Sequence, residues 1–378
     1  MAGSGSISRR AILTTALAAV ACGHRRAPRT QGWLLVASGN EREIAVADLA
    51  SFRRAATIAL PCGADQLFRS GTRVYTLCHD GAAIFEIDPQ AFRITGKISL
   101  PGKPVAARFL PDGHSAIVLT SDPALLLSID LPSRRLRSRL SLPAAPADLD
   151  LNGNLAAITI PSRNAVLRVL LGTSSPPELK FAGATDTGVP CTPVRFRRDG
   201  KTILAGASAA REIIGIDAQT GNLLARLSLA VSPSRFAFNS DGGQMFVTGS
   251  GEDALAIVSP YQNEVGETIL AGRTPNAMAV SDRRNLLFVT NRESGDLTIL
   301  DIDTRGVSAS VHVGENPGEV LLTPDGEYAL VLDPRSGNVS VVRLTTVLDR
   351  KIKTKPLFTV FPTAADARSA LIVPFQNG

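Results

Sequence analysis

Asp282-Arg283 is followed by Asn285-Leu286-Leu287-Phe288-Val289-Thr290, then Leu297-Thr298-Ile299-Leu300-Asp301-Ile302-Asp303, then Val311-His312-Val313-Gly314. These are three short apolar runs with a polar break between the first two. A fourth run precedes the Asp-Arg turn. The runs read as strands A to D, with the tight turn between A and B. The same turn recurs at Ser70-Gly71, Asp112-Gly113, Asn152-Gly153, Asp199-Gly200, Asp241-Gly242 and Asp325-Gly326. Successive steps along the series are 42, 40, 47, 42, 41 and 43 residues. Asp or Asn followed by Gly is a hairpin signal, because these residues tolerate positive φ. Four strands repeated at this period predict an all-β chain, a β-propeller of four-stranded antiparallel blades.

The two ends of the repeat array are incomplete and complement each other. Residues 32–61 supply B (Trp33 to Ala37), C (Ile44 to Asp48) and D (Ala55 to Leu60), but no A. Near the C-terminus stands one apolar run, Ala370-Leu371-Ile372-Val373, and the chain ends Asn377-Gly378, where an A–B turn would fall. The C-terminal strand is therefore expected to be strand A of blade one, closing the ring and removing exposed sheet edges. This count gives eight blades. Seven, the alternative, would need a repeat longer than the observed spacing. The expected organisation is a signal peptide at 1–21, a tether at 22–31 and a single propeller at 32–378, expected as a monomer.

The net charge of +6 does not mark a nucleic-acid binder. Residues 1–31 hold Arg9, Arg10, Arg25, Arg26 and Arg29 with no acid, so removing those five charges leaves +1 for the rest. No basic stripe with interleaved aromatics is present, and nucleic acid is excluded as a partner. Aromatics make up 5% of the chain, so the core must rest on Leu, Ile, Val and Ala, which suits short packed strands.

Arg9-Arg10 precedes an apolar run, Ala11 to Ala21, too short to cross a bilayer and suited to a signal peptide. It ends Ala19-Val20-Ala21, then Cys22. Two processings are open: ordinary cleavage after Ala-x-Ala, or a lipobox with Cys22 acylated, although Ala19 replaces the preferred Leu. Ser8-Arg9-Arg10-Ala11-Ile12-Leu13 is similar to the twin-arginine export motif, with Ile12 in place of Phe. An exported protein of the periplasm or cell envelope, lipid-anchored through Cys22, is expected.

Phe288-Val289-Thr290-Asn291 and Phe246-Val247-Thr248-Gly249 resemble the tetrapeptide of the YVTN-type β-propeller repeat family. So do the Ile-Asp pairs at 87–88, 129–130, 216–217 and 302–303, and the prolines opening strand A at Pro104, Pro193, Pro233, Pro275 and Pro317. The resemblance spans residues 32–378 and implies a bacterial or archaeal exported propeller without implying an activity. Its motif residues all have structural roles available.

No catalytic or metal-ligating constellation stands out. His24, His79, His114 and His312 lie in different segments, and no Cys-x-x-Cys-His is present. No Gly-x-Ser-x-Gly elbow precedes a helix; Gly249-Ser250-Gly251 and Ala205-Gly206-Ala207-Ser208 fall at or next to B–C loops. No catalytic residue, metal or cofactor is assigned. Cys62 and Cys78 flank the Ser70-Gly71 turn symmetrically, eight residues to either side of Ser70. They are a candidate disulfide in an exported protein, the alternative being buried thiols. Five B–C loops carry an arginine: Arg42, Arg163, Arg211, Arg292 and Arg335. Since B–C and D–A loops share one face of a propeller, these form a candidate cationic rim. It would suit an anionic envelope ligand or a protein, since Arg recognises carboxylate and phosphate bidentately. Neighbouring acids, Glu41, Glu43, Glu212 and Glu293, offer local pairing instead. Loop 183–192, which lengthens its repeat, is expected on the same face. The basic stretch Thr345 to Pro356 reads as a solvated loop. The function expected is binding or scaffolding through the loop face. The alternative is a propeller enzyme, lactonase-like hydrolase or dehydrogenase, with its site in the channel. Three or more polar or ionisable side chains converging in a channel pocket would favour the enzyme, and a channel lined by apolar or self-paired residues, with a charged loop face, would favour binding.

Overall fold

The computed structural model describes residues 30–249, 251–348 and 355–375. Eight antiparallel sheets of four strands form the blades of a β-propeller. Blade 1 joins the two ends of the chain: its strands run Arg53–Ala59, Glu43–Asp48, Gly32–Ser38, Ala367–Pro374 from outside to inside. The pairing extends from Gly32 opposite Pro374 to Ser38 opposite Ala367. The C-terminal strand is thus strand A of blade 1, as expected, while Asn377-Gly378 lies outside the described residues. The inner strands of blades 2 to 8 are Ala64–Ser70, Pro104–Phe109, Asp148–Asn152, Val194–Phe196, Pro233–Phe238, Pro275–Ser281 and Val320–Leu322.

Strands B and C sit mid-sheet with both faces covered. Every residue of Leu286–Asn291 and of Tyr328–Asp333 is buried, which explains continuous apolar runs rather than alternation. Outer strands such as Arg135–Ser141 are largely exposed and are correspondingly polar. The core is divided into wedges between adjacent blades. Leu34, Val36 and Leu49 of blade 1 pack on Leu330, Leu332 and Val341 of blade 8. On its other face blade 1 packs Leu35, Ile44 and Val46 on Val74, Phe85 and Ile87 of blade 2. Each fully buried Leu, Ile or Val contributes about 2 kcal/mol, so each wedge rests on many equal terms rather than on a few aromatics.

The recurrent turns use the backbone freedom their residues offer. Gly113 and Gly326 have φ of 71°, a region that favours glycine. Where Arg283 replaces glycine, the positive φ moves to Asn285, at 53°. At the other hairpin of each blade, an Asp ending strand C accepts backbone N–H bonds from its own turn: Asp88 from Gln90 and Ala91, and Asp217 from Gln219 and Thr220. In blade 7 this acceptor is Asp301, bonded by the Thr304 N–H at 2.8 Å. The Ile302-Asp303 pair is therefore displaced from the role its sequence resemblance implied, because strand C ends at Asp301.

Two loop expectations change. Residues 183–186 belong to strand Leu179–Asp186, so the extra length of that repeat divides between 172–178, at the opposite end of the blade, and 187–193 on the B–C/D–A side. Stretch 345–356 begins as a short helix, Leu344–Leu348; Arg350, Lys351 and Lys353 lie outside the described residues.

Truncation after Ala364 would remove the inner strand of blade 1 and bare the Gly32–Ser38 edge. The truncated protein should aggregate or lose its cooperative thermal transition by circular dichroism. A transition matching the full chain would contradict closure by this strand.

Candidate functional site

Closure leaves a central channel lined by the eight A strands, whose inner edges have no further strand to pair with. Carboxylates from neighbouring blades satisfy part of that edge. Asp148 accepts the Val194 N–H at 3.0 Å and Asp150 accepts the Phe196 N–H at 2.8 Å, from blade 4 to blade 5. Glu319, just ahead of strand A of blade 8, accepts the Ala370 N–H of blade 1 at 2.8 Å.

The two ends of the channel differ in their side chains, aromatic rings among polar groups at one end and a cluster of charges at the other. At the A–B turn end, Phe68, Phe109 and Tyr75 stack with centroids 4.8 and 5.2 Å apart, and Phe196 and Phe238 line a recess of about 370 Å3. At the B–C/D–A end lies a mouth cavity of about 640 Å3, spanning blades 4 to 8 and lined by Asp148, Arg195, Arg235, Arg292 and Glu319 among others.

Four of these charged residues share one register position. Asp148, Arg195, Arg235 and Glu319 are each the second residue after the proline at or just ahead of the start of strand A, namely Pro146, Pro193, Pro233 and Pro317; blade 7 has Ala277 there, after Pro275. Aligning that column across repeats would have found them. Loop type alone does not point to it, because a proline there already has a structural role in opening strand A.

One half of the charge is internally paired. Arg195 meets Asp148 at 2.7 Å. Arg108 lies 3.6 Å from Asp148 and 3.7 Å from Asp150. Burial pushes the Asp150 carboxyl above the ordinary carboxylate range, against the Phe196 N–H and the two arginines. The other half is not paired. Among the described residues, neither the Arg235 nor the Arg292 guanidinium has a carboxylate or hydrogen-bond partner. The Arg235 side chain is exposed to the open channel, with protein on the surrounding sides. Burial, followed by the charge of Arg292, depresses its affinity for its own proton, with Glu319 acting in opposition. Burial likewise raises Glu319 to about 7, although the Ala370 N–H and Arg235 favour its charged form.

The rim arginines all sit in B–C loops and all are exposed. They do not act as one set. Arg292 alone of the five lines the mouth cavity. Arg211 pairs with Glu252 at 3.0 Å. Two of the four neighbouring acids pair elsewhere, Glu43 with Arg54 and Glu212 with Arg226, across from strand C to strand D. Arg42, Arg163 and Arg335 stand apart from the cavity lining.

His79 lies on the opposite wall of the mouth, in a recess of about 310 Å3 with Asp65, Gln66 and Arg368. Its Nδ1 is 3.0 Å from the Pro104 carbonyl; a carbonyl only accepts, so Nδ1 carries the proton. Arg368 is held by Asp65 at 2.7 Å and Asp366 at 3.2 Å. Among the described residues no group of three His, Cys, Asp or Glu is arranged to hold a metal ion. Ser234, within the mouth, donates to the Thr248 carbonyl and has no base beside it.

Cys62 and Cys78 are joined, with Cα atoms 5.9 Å apart. A register shift between Ala64 and Gln66 puts Ala64, not Cys62, opposite Cys78, so Cys62 reaches its partner from the loop. Cys191 is a buried free thiol, its pKa pushed up by burial. Cys22, Arg9 and Arg10 lie outside the described residues.

Several solved structures share the fold. The dihydro-heme d1 dehydrogenase NirN in complex with DHE matches with a TM-score of 0.75 and 12% identity, over 92% of this chain and 76% of that one. A protein of unknown function from Desulfotomaculum acetoxidans matches at 0.61 and 17%, over 76% and 98%. Hydrazine synthase of Kuenenia stuttgartiensis matches at 0.55 and 18%, over 74% and 94%. At these identities the likeness is one of fold. No family model and no curated protein matches the sequence.

The Cys62–Cys78 bond closes a loop with a sequence separation of 16. Replacing both by Ser should lower unfolding stability by about 3 kcal/mol, from lost loop-closure entropy. Urea denaturation with and without reductant reads this directly; identical midpoints would show that the bond carries no stability.

Proposed function

We propose that this chain is an exported, membrane-tethered β-propeller that binds an anionic group at its channel mouth, on a free ligand of the envelope or on a partner protein. The observation carrying this reading is the pair of guanidiniums, Arg235 and Arg292, that face one cavity without a carboxylate partner among the described residues. Like charges held together in a walled site repel, and an entering anion relieves that repulsion while accepting directed N–H bonds. A cavity of about 640 Å3 falls within the range of small-molecule sites. Ser234, Asn276 and Thr274 add polar groups, and Phe236 and Met278 add apolar wall.

Two further observations support the reading. The Arg9-Arg10, Ala11 to Ala21 and Cys22 succession supports export and a lipid anchor. Thr30 donates to Asp325, in the A–B turn of blade 8, so the chain enters the propeller at the end opposite the mouth. A tether from Cys22 would then leave the mouth facing away from the bilayer. That NirN, a protein of similar fold, has been solved in complex with DHE is consistent with a ligand-carrying propeller and says nothing of which ligand. The enzyme alternative draws on the convergence of Arg235, Arg292 and Glu319 in one cavity, the observation named above as favouring it, and on Glu319, whose raised pKa suits proton transfer; against it, among the described residues the mouth offers no nucleophile with a base beside it.

The test uses sulfate, a dianion throughout the neutral range. Thermal unfolding of the mature protein should shift upward with sulfate beyond the shift given by chloride at equal ionic strength, and the Arg235→Met/Arg292→Met variant should keep only the smaller, non-saturating part that sulfate gives any fold. At a concentration of about 100 times Kd the stabilisation is about 2.7 kcal/mol. An equal shift in the variant would move the site elsewhere. Separately, Cys22→Ser should release the protein from the membrane fraction; retention there would overturn lipid anchoring at that residue.

A further inference from the structure

The mouth contains a carboxylate where an anion is expected to bind. Glu319 lines the same cavity as Arg235 and Arg292. It is partly buried; among the described residues its one protein hydrogen bond comes from the Ala370 N–H, and no cation of those residues lies within ion-pair distance of it. Arg235 is the cation whose charge acts on it, from strand A of blade 6. An incoming anion would take over that guanidinium and bring a second negative charge into the same walled space. Two like charges in such a site cannot both be held without cost, and the carboxylate is the group able to discard its charge by taking a proton.

We infer that the channel mouth binds a dianion together with one proton, the anion on Arg235 and Arg292 and the proton on Glu319. This rests on the anion-binding reading above. The proton comes from solvent, so the complex carries one negative charge more than the free site, not two. The carboxyl group stays in place when protonated, because its carbonyl oxygen can still accept the Ala370 N–H.

The surroundings of Glu319 leave it as the group that responds. The neighbouring inner strand Pro275–Ser281 and the strand Leu286–Asn291 carry no titratable side chain. On Tyr328–Asp333, Asp333 is buried and accepts the N–H groups of Glu315, Arg335 and Ser336; Tyr328 is buried in the wedge against blade 1. On Ala367–Pro374, Arg368 is held by Asp65 and Asp366. Across the mouth, Arg195 and Asp148 neutralise each other at 2.7 Å. The free-state value of Glu319, about 7, places the coupling in the neutral range. Above that value the site must gain a proton to bind the anion. Well below it the proton is already present and the dependence vanishes.

Sulfate, which does not itself titrate in this range, is the probe. Isothermal titration in buffers of different ionisation enthalpy should show net proton uptake on binding to the wild type near pH 8. The uptake should fall toward zero near pH 5, and affinity should rise several-fold between those limits, bounded by about tenfold per pH unit. Glu319→Gln, which keeps an acceptor for Ala370, should bind sulfate with an affinity independent of pH and with no proton uptake. Sulfate binding without proton uptake in the wild type, or an unchanged pH dependence in Glu319→Gln, would overturn the coupling and leave the anion site standing. Failure of the wild type to bind sulfate at any pH, or undiminished binding in Arg235→Met/Arg292→Met, would overturn the anion site and the coupling with it.

Discussion

Everything in this molecule depends on the ladder between Gly32–Ser38 and Ala367–Pro374. Each blade buries one face on the blade before it and the other on the blade after it. An open array would leave two apolar faces and two inner edges in water. The C-terminal strand closes the ring within a sheet, so the last wedge, between blades 8 and 1, packs like the others. Closure also brings Glu319 of blade 8 against Ala370 of blade 1. The same seam that completes the fold therefore supplies the carboxylate at the channel mouth.

A closed ring creates a second problem at its axis. Eight inner strands present backbone N–H groups that no further strand can accept. Asp148 and Asp150 accept two of them across one blade junction, and Glu319 accepts one at the seam. Carboxylates used in this way must be balanced. Between blades 3 and 5 the balance is achieved by Arg108 and Arg195. At blades 6 and 7 the cations exceed the acids nearby, and Arg235 and Arg292 are left facing the cavity. The site is thus an imbalance in a structural network rather than a separate feature laid on top of it. The threonines of the Phe-Val-Thr segments belong to the same framework. Thr248 bonds the Asn276 carbonyl and Thr290 the Gly318 carbonyl, each tying one blade to the start of the next inner strand.

The loop arginines illustrate the limits of placing charge by loop type. Arg42, Arg163, Arg211, Arg292 and Arg335 do share a face, because the B–C connection fixes which end of a blade a residue occupies. Distance from the axis is a different quantity. Arg211 lies outward and is taken by Glu252, whereas Arg292 reaches the mouth. Of the acids adjacent in sequence, Glu212 pairs with Arg226 near the end of strand D, beside the start of strand C in the antiparallel register, whereas Glu43 is met by Arg54 from the start of strand D, whose long side chain runs back along the sheet.

The period of the turns, the missing first strand and the lone C-terminal strand determined the fold, the blade number and the closure from sequence alone. They could do so because hairpin chemistry and apolar runs are local properties repeated many times. The Pro-x-charged column at Asp148, Arg195, Arg235 and Glu319 was also present in the sequence, and its alignment across repeats was the available signal. Which of those charges cancel was not present there. That outcome depends on which blades the ring makes neighbours and on how close their side chains come across the axis. Only the tertiary structure decides it, because electrostatic pairing depends on distance and burial rather than on order along the chain.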